Sequence, residues 1–242
     1  MTVKDTLFAE PINEVKDFVF DHRVADVFDD MIERSVPKYD EVQFATAALA
    51  SELALAGMAI YDLGCATGTT IIELCSRLGE KNVRIVGVDN SGPMLERCRS
   101  RLQESGLLER VTLIESDLQT IRLEQASVVI MNYTLQFLPV ANRLPLVQHI
   151  YQSLVEKGAL LLTEKVRSGD SKLDTIFTEL HYHYKRERGY SALEIAQKRE
   201  ALERVLTPLT IEENLTLLAS AGFRKHEIFL KWYNFCSLIA MK

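Results

Sequence analysis

The stretch AIYDLGCATGTT, residues 59–70, predicts a buried strand that runs through a glycine turn into a helix. The stretch is largely apolar up to Asp62, Gly64 and Gly68 then interrupt the pattern, and helical spacing begins at Thr70. Glycines in such a turn let backbone N–H groups approach a nucleotide-like ligand, because no Cβ stands in the way. The order of strand, glycine turn and helix therefore predicts a ligand site of the Rossmann-like α/β type.

The acid and the glycine spacing of this turn favour S-adenosyl-L-methionine as the ligand. Asp62 places a carboxylate at the end of the strand, where it suits the ammonium group of an amino acid better than a phosphate. With Gly64 and Gly68 it forms D-x-G-x-x-x-G, and the G-x-G-x-x-G of dinucleotide sites and the Lys-Ser/Thr of a P-loop are both missing. A plain strand–turn–helix connection and a site for another adenine nucleotide stay open as alternatives.

Composition and charge limit the classes of protein that the chain fits. Its 242 residues are 47% hydrophobic and 26% charged, which is typical of one large globular domain, 1–242. The net charge of −6 gives no overall field that would attract nucleic acid. No apolar run approaches the roughly 20 residues of a membrane span, and the N-terminus has no leader pattern. We expect a cytoplasmic protein with neither a membrane nor nucleic acid as a direct partner.

The cysteines and histidines give no sign of a metal site. The four cysteines are scattered without a C-x-x-C pair, so we expect reduced thiols: Cys65, Cys75, Cys98 and Cys236. His181 and His183 lie two residues apart with no third ligand at metal spacing. We interpret both histidines as surface or packing residues and predict no metal.

Strand and helix patterns alternate along most of the chain, which predicts a doubly wound, mostly parallel sheet. Residues 1–57 are predicted as an N-terminal helical cap, and 165–209 as a helical insertion before the last helix. A helix over about 143–156 is predicted to end with Gly158 as its C-cap. With a C-terminal β-hairpin, the expected fold is a seven-stranded, Rossmann-like class I methyltransferase fold.

Polar residues end four successive predicted strands: Asp62, Asp89, Asp117 and Asn132. Because parallel strands present their carboxyl ends at one edge of the sheet, these side chains are expected to meet a common ligand. Asp89 lies about 20 residues beyond the glycine turn, where an acid binds ribose hydroxyls. Four such residues together with the glycine turn predict a site for S-adenosyl-L-methionine.

The predicted insertion concentrates positive charge in an otherwise acidic chain. Its basic residues are Lys185, Arg186, Arg188, Lys198, Arg199 and Arg204. One interpretation is a solvated helical face. The other is an anion site at the mouth of the ligand pocket, since the arginine fork binds carboxylates bidentately.

Several segments together resemble the carboxy-S-adenosyl-L-methionine synthase family over nearly the whole chain. They are Asp5-Thr6-Leu7-Phe8, Arg34-Ser35-Val36-Pro37, Tyr61-Asp62-Leu63-Gly64-Cys65, Val88-Asp89-Asn90-Ser91, Thr134-Leu135-Gln136-Phe137 and Glu194-Ile195-x-Gln197-Lys198-Arg199. Those outside the ligand site are the specific ones, because many methyltransferases share the glycine turn.

The resemblance implies conversion of S-adenosyl-L-methionine and prephenate to carboxy-S-adenosyl-L-methionine and phenylpyruvate. The product would serve a tRNA carboxymethyltransferase that modifies the wobble uridine (cmo5U). The implied ligand contacts are Tyr39, Gly64, Cys65, Ala66, Asp89, Asn90, Asp117, Leu118 and Asn132. Arg199 is implied to bind the new carboxylate from the other subunit of a homodimer. No protein base is predicted, because the reaction needs an anion clamp and excluded water instead.

Two other functions stay open at the level of sequence. A conventional small-molecule methyltransferase would use the same sheet and pocket. A non-catalytic tRNA-binding or scaffolding subunit would retain the fold, although the acidic balance of the chain weakens this reading. Methylation of exocyclic base amines is not favoured, because Asn132-Tyr133-Thr134-Leu135 stands where those enzymes carry Asp/Asn-Pro-Pro-Tyr.

Overall fold

A computed structural model describes residues 3–242 as a twisted sheet with helices on both faces. The strands are β1 Ala59–Leu63, β2 Arg84–Asp89, β3 Val111–Glu115, β4 Ala126–Asn132, β5 Leu154–Lys165, β6 Lys225–Trp232 and β7 Phe235–Met241. The helices are α1 His22–Ser35, α2 Tyr39–Leu53, α3 Thr69–Leu78, α4 Gly92–Glu104, α5 Val140–Ser153, α6 Ser171–Glu187, α7 Ala192–Glu203 and α8 Ile211–Ala221. None of the helices within residues 3–242 has the length and apolar composition that crossing a bilayer requires.

The sheet has the strand order β3-β2-β1-β4-β5-β7-β6. The first five strands in this order are parallel, and β7 runs antiparallel between β5 and β6. This arrangement confirms the predicted seven-stranded, mostly parallel sheet with a C-terminal hairpin. The reversal between β1 and β4 places the crossover point of the sheet beside the glycine turn, which is where open α/β sheets bind ligands.

Apolar side chains cover both faces of the sheet. On one face Ile71 and Leu74 of α3 pack with Leu95 of α4 over the strands. On the other face Ile150 of α5 and Leu218 of α8 do the same. The central strand β4 is buried on both sides, which is why its sequence is continuously apolar and does not alternate.

The segment that precedes α1 is held against α7 through the buried carboxyl of Asp5. Its backbone N–H donates to Asp30 Oδ2 at 2.7 Å, and its Oδ2 lies 3.5 Å from Lys198 Nζ. The Tyr190 hydroxyl also donates to this carboxylate. The N-terminal residues are therefore part of the packed structure near the ligand edge of the sheet.

The predicted helix cap at Gly158 is wrong. Helix α5 ends at Ser153, and Gly158 lies within β5. A Cβ at Gly158 would stand 2.8 Å from the Val155 carbonyl oxygen and 3.1 Å from that of Ser127. Glycine is required here by the close approach of the backbone as the chain enters the sheet, a feature that resembles a helix stop in sequence.

Buried Glu164 in β5 should make stability depend on pH in an unusual direction. Its Oε1 accepts N–H bonds from Thr134 at 3.1 Å and Leu135 at 3.0 Å, but burial still raises the pKa of this carboxyl to about 8. The folded protein thus binds this proton more tightly than the unfolded chain. The contribution to stability is full below the unfolded pKa of 4.5 and is lost as pH rises through about 8.

We predict that Glu164→Gln removes this loss while it keeps an acceptor for both N–H groups. Between about pH 5 and about pH 8 the wild type should lose up to roughly 1.4 kcal/mol per pH unit more than the variant. Urea unfolding across this range measures the difference. Parallel pH profiles of the two proteins would contradict the assignment.

Candidate functional site

A cavity of about 450 Å³ lies at the carboxyl ends of the parallel strands. Each of these strands supplies a residue at its end or just beyond: Asp117 after β3, Asp89 on β2, Gly64 after β1, Asn132 on β4 and Lys165 on β5. Neighbouring strands are about 4.8 Å apart, so the floor of the cavity extends roughly 19 Å across the sheet. That length suits an extended nucleoside that carries an amino-acid tail.

The structure brings nine of the ten predicted site residues together around this cavity. They are Tyr39, Gly64, Cys65, Ala66, Asp89, Asn90, Asp117, Leu118 and Asn132. The tenth, Arg199, lies on the exposed face of α7 and is not among the residues described around the cavity of its own chain.

The glycine turn is fixed from two sides. Gly64 has φ 79°, and a Cβ there would overlap the side chain of Thr134, which follows β4. On the other side, the N–H of Ala66 donates to Asp89 Oδ2 at 2.9 Å. The turn therefore fits closely between the ends of β2 and β4, and it presents its backbone to the cavity.

Asp89 is a half-buried carboxylate held in a single orientation at the end of β2. Its Oδ1 accepts the N–H of Ser91 at 2.9 Å, while Oδ2 accepts that of Ala66. Burial raises the pKa of Asp89, and these N–H bonds oppose the rise. A fixed acceptor at this place suits the two hydroxyls of a ribose.

Asn132 and Tyr39 supply polar atoms at the middle of the floor. The Asn132 side-chain amide donates to Thr70 Oγ1 at 3.3 Å, whereas its Oδ1 is buried with no partner within residues 3–242. Tyr39 opens α2, and burial raises the pKa of its phenol well above the usual range, so it stays protonated. A buried amide oxygen that needs a partner fits the positive end of a sulfonium ligand.

Asp62 does not lie where its sequence position suggested. It is buried in β1 beneath the glycine turn and is not among the described residues that line the cavity. Burial, with the charge of Asp89 as a smaller cause, raises the pKa of Asp62 to about 7. Direct contact with the ligand's ammonium group, which the motif predicted, is therefore not supported by this geometry.

One end of the cavity is cationic. It is lined by Lys165 from β5, His181 and Lys185 from α6, and Lys198 from α7. Of the two roles predicted for His181, surface or packing, the structure shows packing: the ring is 3% exposed and lies edge-on against Phe235 with 5.0 Å between ring centroids.

The basic residues of the insertion separate into two groups. Lys185 and Lys198 line the cavity, whereas the four arginines are exposed: Arg186, Arg188, Arg199 and Arg204. Both interpretations of the charge cluster thus hold for part of it. Helical phase decides the division, since neighbouring residues on a helix lie about 100° apart.

An aromatic cluster lines part of the cavity. Phe20 comes just before α1, Phe28 lies within it, and Phe137 follows β4. Their rings contact edge to face, with 6.4 Å between the centroids of Phe20 and Phe28 and 5.3 Å between those of Phe20 and Phe137. The predicted N-terminal helical cap, 1–57, contains Phe20 and Phe28, but the sequence does not show that Phe137 joins them, because it is distant in the chain and resembles an ordinary apolar residue.

Fold and site together define a class I S-adenosyl-L-methionine-dependent enzyme of the methyltransferase superfamily. Residues 60–158 match a family model described as a methyltransferase domain. An O-methyltransferase family protein of Burkholderia thailandensis superposes with a TM-score of 0.65 at 19% identity, over 92% of this chain and 60% of that one. Human N-acetylserotonin methyltransferase, solved with SAM, superposes with a TM-score of 0.61 at 17% identity, over 91% of this chain and 55% of that one. The chain spans less than two thirds of those longer proteins, and the likeness concerns the fold.

More similar relatives identify the family. Carboxy-S-adenosyl-L-methionine synthase of Methylococcus capsulatus is 45% identical over 240 residues, 99% of both chains. The protein of the same name from Haemophilus ducreyi is 42% identical over 239 residues, 99% of this chain and 98% of that one. The chain belongs to the carboxy-S-adenosyl-L-methionine synthase family, as the sequence resemblance indicated.

Asp89→Asn tests the ribose end of the site. An amide has one acceptor oxygen in place of two, so either Ala66 or Ser91 loses its partner and the turn loosens. We expect affinity for S-adenosyl-L-methionine to fall by roughly ten- to a hundredfold. Isothermal titration measures the affinity. Glu115→Gln is the control, because Glu115 is an exposed acid that lies opposite Asp89 in the register of β2 and β3. Equal affinities in the two variants would contradict the assignment.

Proposed function

We propose that the protein converts S-adenosyl-L-methionine and prephenate to carboxy-S-adenosyl-L-methionine and phenylpyruvate. The observation that supports this most is that a nucleoside-sized floor and a cluster of amines share one cavity. A floor suited to a nucleoside runs directly into a buried cluster of amines at β5, α6 and α7. Methyl transfer to a neutral acceptor does not require such a cluster, whereas a second substrate with two carboxylates does.

The proposed reaction balances without an added oxidant or reductant. A methyl proton of S-adenosyl-L-methionine and the ring hydroxyl of prephenate leave as water, while prephenate loses its ring carboxylate as CO2 and becomes aromatic. The methyl carbon keeps the electron pair of its broken C–H bond and uses it to bond the carbon of CO2.

The protein's part in this scheme is positioning and exclusion of water. Asp89 holds the ribose, and Asn132 with Tyr39 orients the sulfonium so that its methyl group faces the second substrate. The rings of Phe20 and Phe28 line the cavity, which keeps water from the reactive carbon and retains CO2 near it. Tyr39 stays protonated, since burial raises the pKa of its phenol.

The protein acts as a homodimer in this scheme, and Arg199 binds the new carboxylate in the partner's site. Its exposure on α7 supports a role outside its own cavity, because the neighbouring Lys198 already faces inward. The product then supplies a tRNA carboxymethyltransferase for wobble uridine modification in the cytoplasm. The family relationship supports this step, and the net charge of −6 agrees with a protein that does not itself hold the tRNA.

Mass spectrometry tests the reaction directly. We expect incubation of the purified protein with S-adenosyl-L-methionine and prephenate to give a nucleoside heavier by one CO2, together with phenylpyruvate. S-adenosylhomocysteine with prephenate untouched would instead show a conventional methyltransferase. Steeply salt-dependent tRNA binding without turnover would favour the scaffolding function.

Arg199→Ala tests the carboxylate clamp. A bidentate, charge-assisted contact exists for carboxy-S-adenosyl-L-methionine and not for S-adenosyl-L-methionine, so the variant should lose the former selectively, by roughly ten- to a hundredfold. Titration with both ligands measures the ratio. Arg204→Ala is the matched control, because this exposed arginine pairs with Asp17 instead, at 2.6 Å. Equal loss of the two ligands in Arg199→Ala would contradict the clamp.

A further inference from the structure

The cationic end of the cavity consists of three lysines that converge from three elements. Lys165 ends β5, Lys185 lies on α6 and Lys198 on α7. The side chains of Lys185 and Lys198 are largely out of water, with 9% and 5% exposure. Lysine is almost never buried unless it is paired, so such a cluster requires an explanation.

The protein itself supplies few partners for these amines. Lys198 Nζ donates to Ser35 Oγ at 2.9 Å and lies 3.5 Å from Asp5 Oδ2. Within residues 3–242, the amines of Lys165 and Lys185 form no hydrogen bond or ion pair with the protein; the charge of Asp174 acts on Lys165 from beyond ion-pair distance, and the charges that act on Lys185 are those of the other lysines. Two of the three amines are thus left for something that enters the cavity.

His181 makes the same end more receptive to a polar ligand. Its Nε2 lies 2.8 Å from the Ser35 carbonyl oxygen, to which the neutral ring donates. Its Nδ1 is buried with no partner among the described residues. A packed core that served only stability would leave neither this nitrogen nor the amine of Lys185 unpaired.

The electrostatics of the cluster agree with an anion-binding site. Burial, and then the charges of Lys165 and Lys198, lower the pKa of Lys185 to about 7. Burial also lowers the pKa of Lys198 to about 8, although Asp5 opposes this. A carboxylate placed among the amines would restore their charge, so binding and protonation support each other.

We propose that Lys165 and Lys185, backed by Lys198, bind the pyruvyl carboxylate of prephenate and leave its ring carboxylate free of cations. This assignment rests on the proposed function. It names the residues that hold the carboxyl donor and the group of the donor that they hold.

The chemistry decides between the two carboxylates. The ring carboxylate must leave as neutral CO2, and cations bound to it would stabilise the ground state more than the transition state and slow the step. The pyruvyl carboxylate keeps its charge from prephenate to phenylpyruvate. Lysines that hold this group therefore give affinity without opposing decarboxylation.

The strand order places the lysine cluster next to the strand end where the sulfonium is expected. Asn132 ends β4 opposite Thr163 of β5, about 4.8 Å away across the sheet, and Lys165 lies two residues beyond Thr163. One ring carbon of prephenate carries both the pyruvyl side chain and the departing carboxylate. Anchoring the pyruvyl end over β5 therefore leaves the departing group toward β4, beside the expected sulfonium.

Phenylpyruvate is the probe that separates the two carboxylates, because it retains only the pyruvyl one. We expect Lys185→Met and Lys165→Met each to weaken phenylpyruvate binding at least tenfold in isothermal titration. Their affinity for S-adenosyl-L-methionine should stay within about twofold of the wild type. The KM for prephenate should rise in parallel. Lys172→Met is the matched control, an identical change at an exposed position of α6 that should bind phenylpyruvate like the wild type.

Thermal unfolding gives a readout that does not depend on turnover. Methionine keeps the length of the side chain and removes a buried, unpaired cation, so Lys185→Met should unfold at the wild-type temperature or higher while it loses phenylpyruvate. Substitution of a ligand-binding residue weakens binding without lowering the unfolding temperature. Substitution of a structural residue lowers both.

Failure of this assignment and failure of the proposed function give different results. Unchanged phenylpyruvate binding in both lysine variants would overturn the assignment, even where the wild type makes carboxy-S-adenosyl-L-methionine. Lysine-dependent binding of phenylpyruvate by a wild type that leaves prephenate untouched would support the carboxylate site and overturn the reaction. Loss of phenylpyruvate binding in Lys172→Met as well would count against a role specific to the cavity.

Discussion

The Asp89 carboxylate is the constraint on which the ligand edge of the sheet depends. Its two oxygens accept N–H groups from the glycine turn after β1 and from the start of the segment that leads into α4. Without these bonds two partly buried N–H donors would lose their protein partner at the crossover point of the sheet. The same carboxylate faces the cavity, so the group that fixes the backbone is also the group suited to a ribose.

Charge along the cavity follows the order of the strands. Acids stand at the ends of β3 and β2, an amide at β4 and a lysine at β5. The parallel register brings these strand ends to one edge of the sheet. The charge of the terminal residues therefore changes across the cavity from acidic at β3 to basic at β5. The cationic end has a cost in stability, since amines are taken out of water with few partners. A functional site tolerates that cost where a ligand supplies the missing charge.

The part of the site that local sequence encodes was predictable. Strand, glycine turn and acid are contiguous or lie at a fixed spacing, and Gly64, Asp89, Asp117 and Asn132 accordingly meet at one cavity. The family resemblance implied the other five residues that line it: Tyr39, Cys65, Ala66, Asn90 and Leu118. What failed depends on tertiary packing. Asp62 has the motif position but is buried and not among the described residues that line the cavity, and Gly158 resembles a helix stop although it lies in β5. Phe20, Phe28 and Lys165 join the site only through the folded topology, for which the chain gives no short-range signal.

Helix α7 has a particular place in this architecture because adjacent residues serve opposite sides of it. Lys198 turns inward to Ser35 and Asp5, and Arg199 turns outward. A helix rotates about 100° per residue, so the two side chains keep a fixed relation to each other. If Arg199 reaches the partner's carboxylate, a shift of α7 that moves Lys198 in one cavity also moves Arg199 in the other. The capping box of Ser191 and Glu194 fixes the start of α7, with bonds of 2.7 and 3.2 Å, and so holds both residues in register. The placement of the anion-binding groups then depends on how firmly one short helix is held.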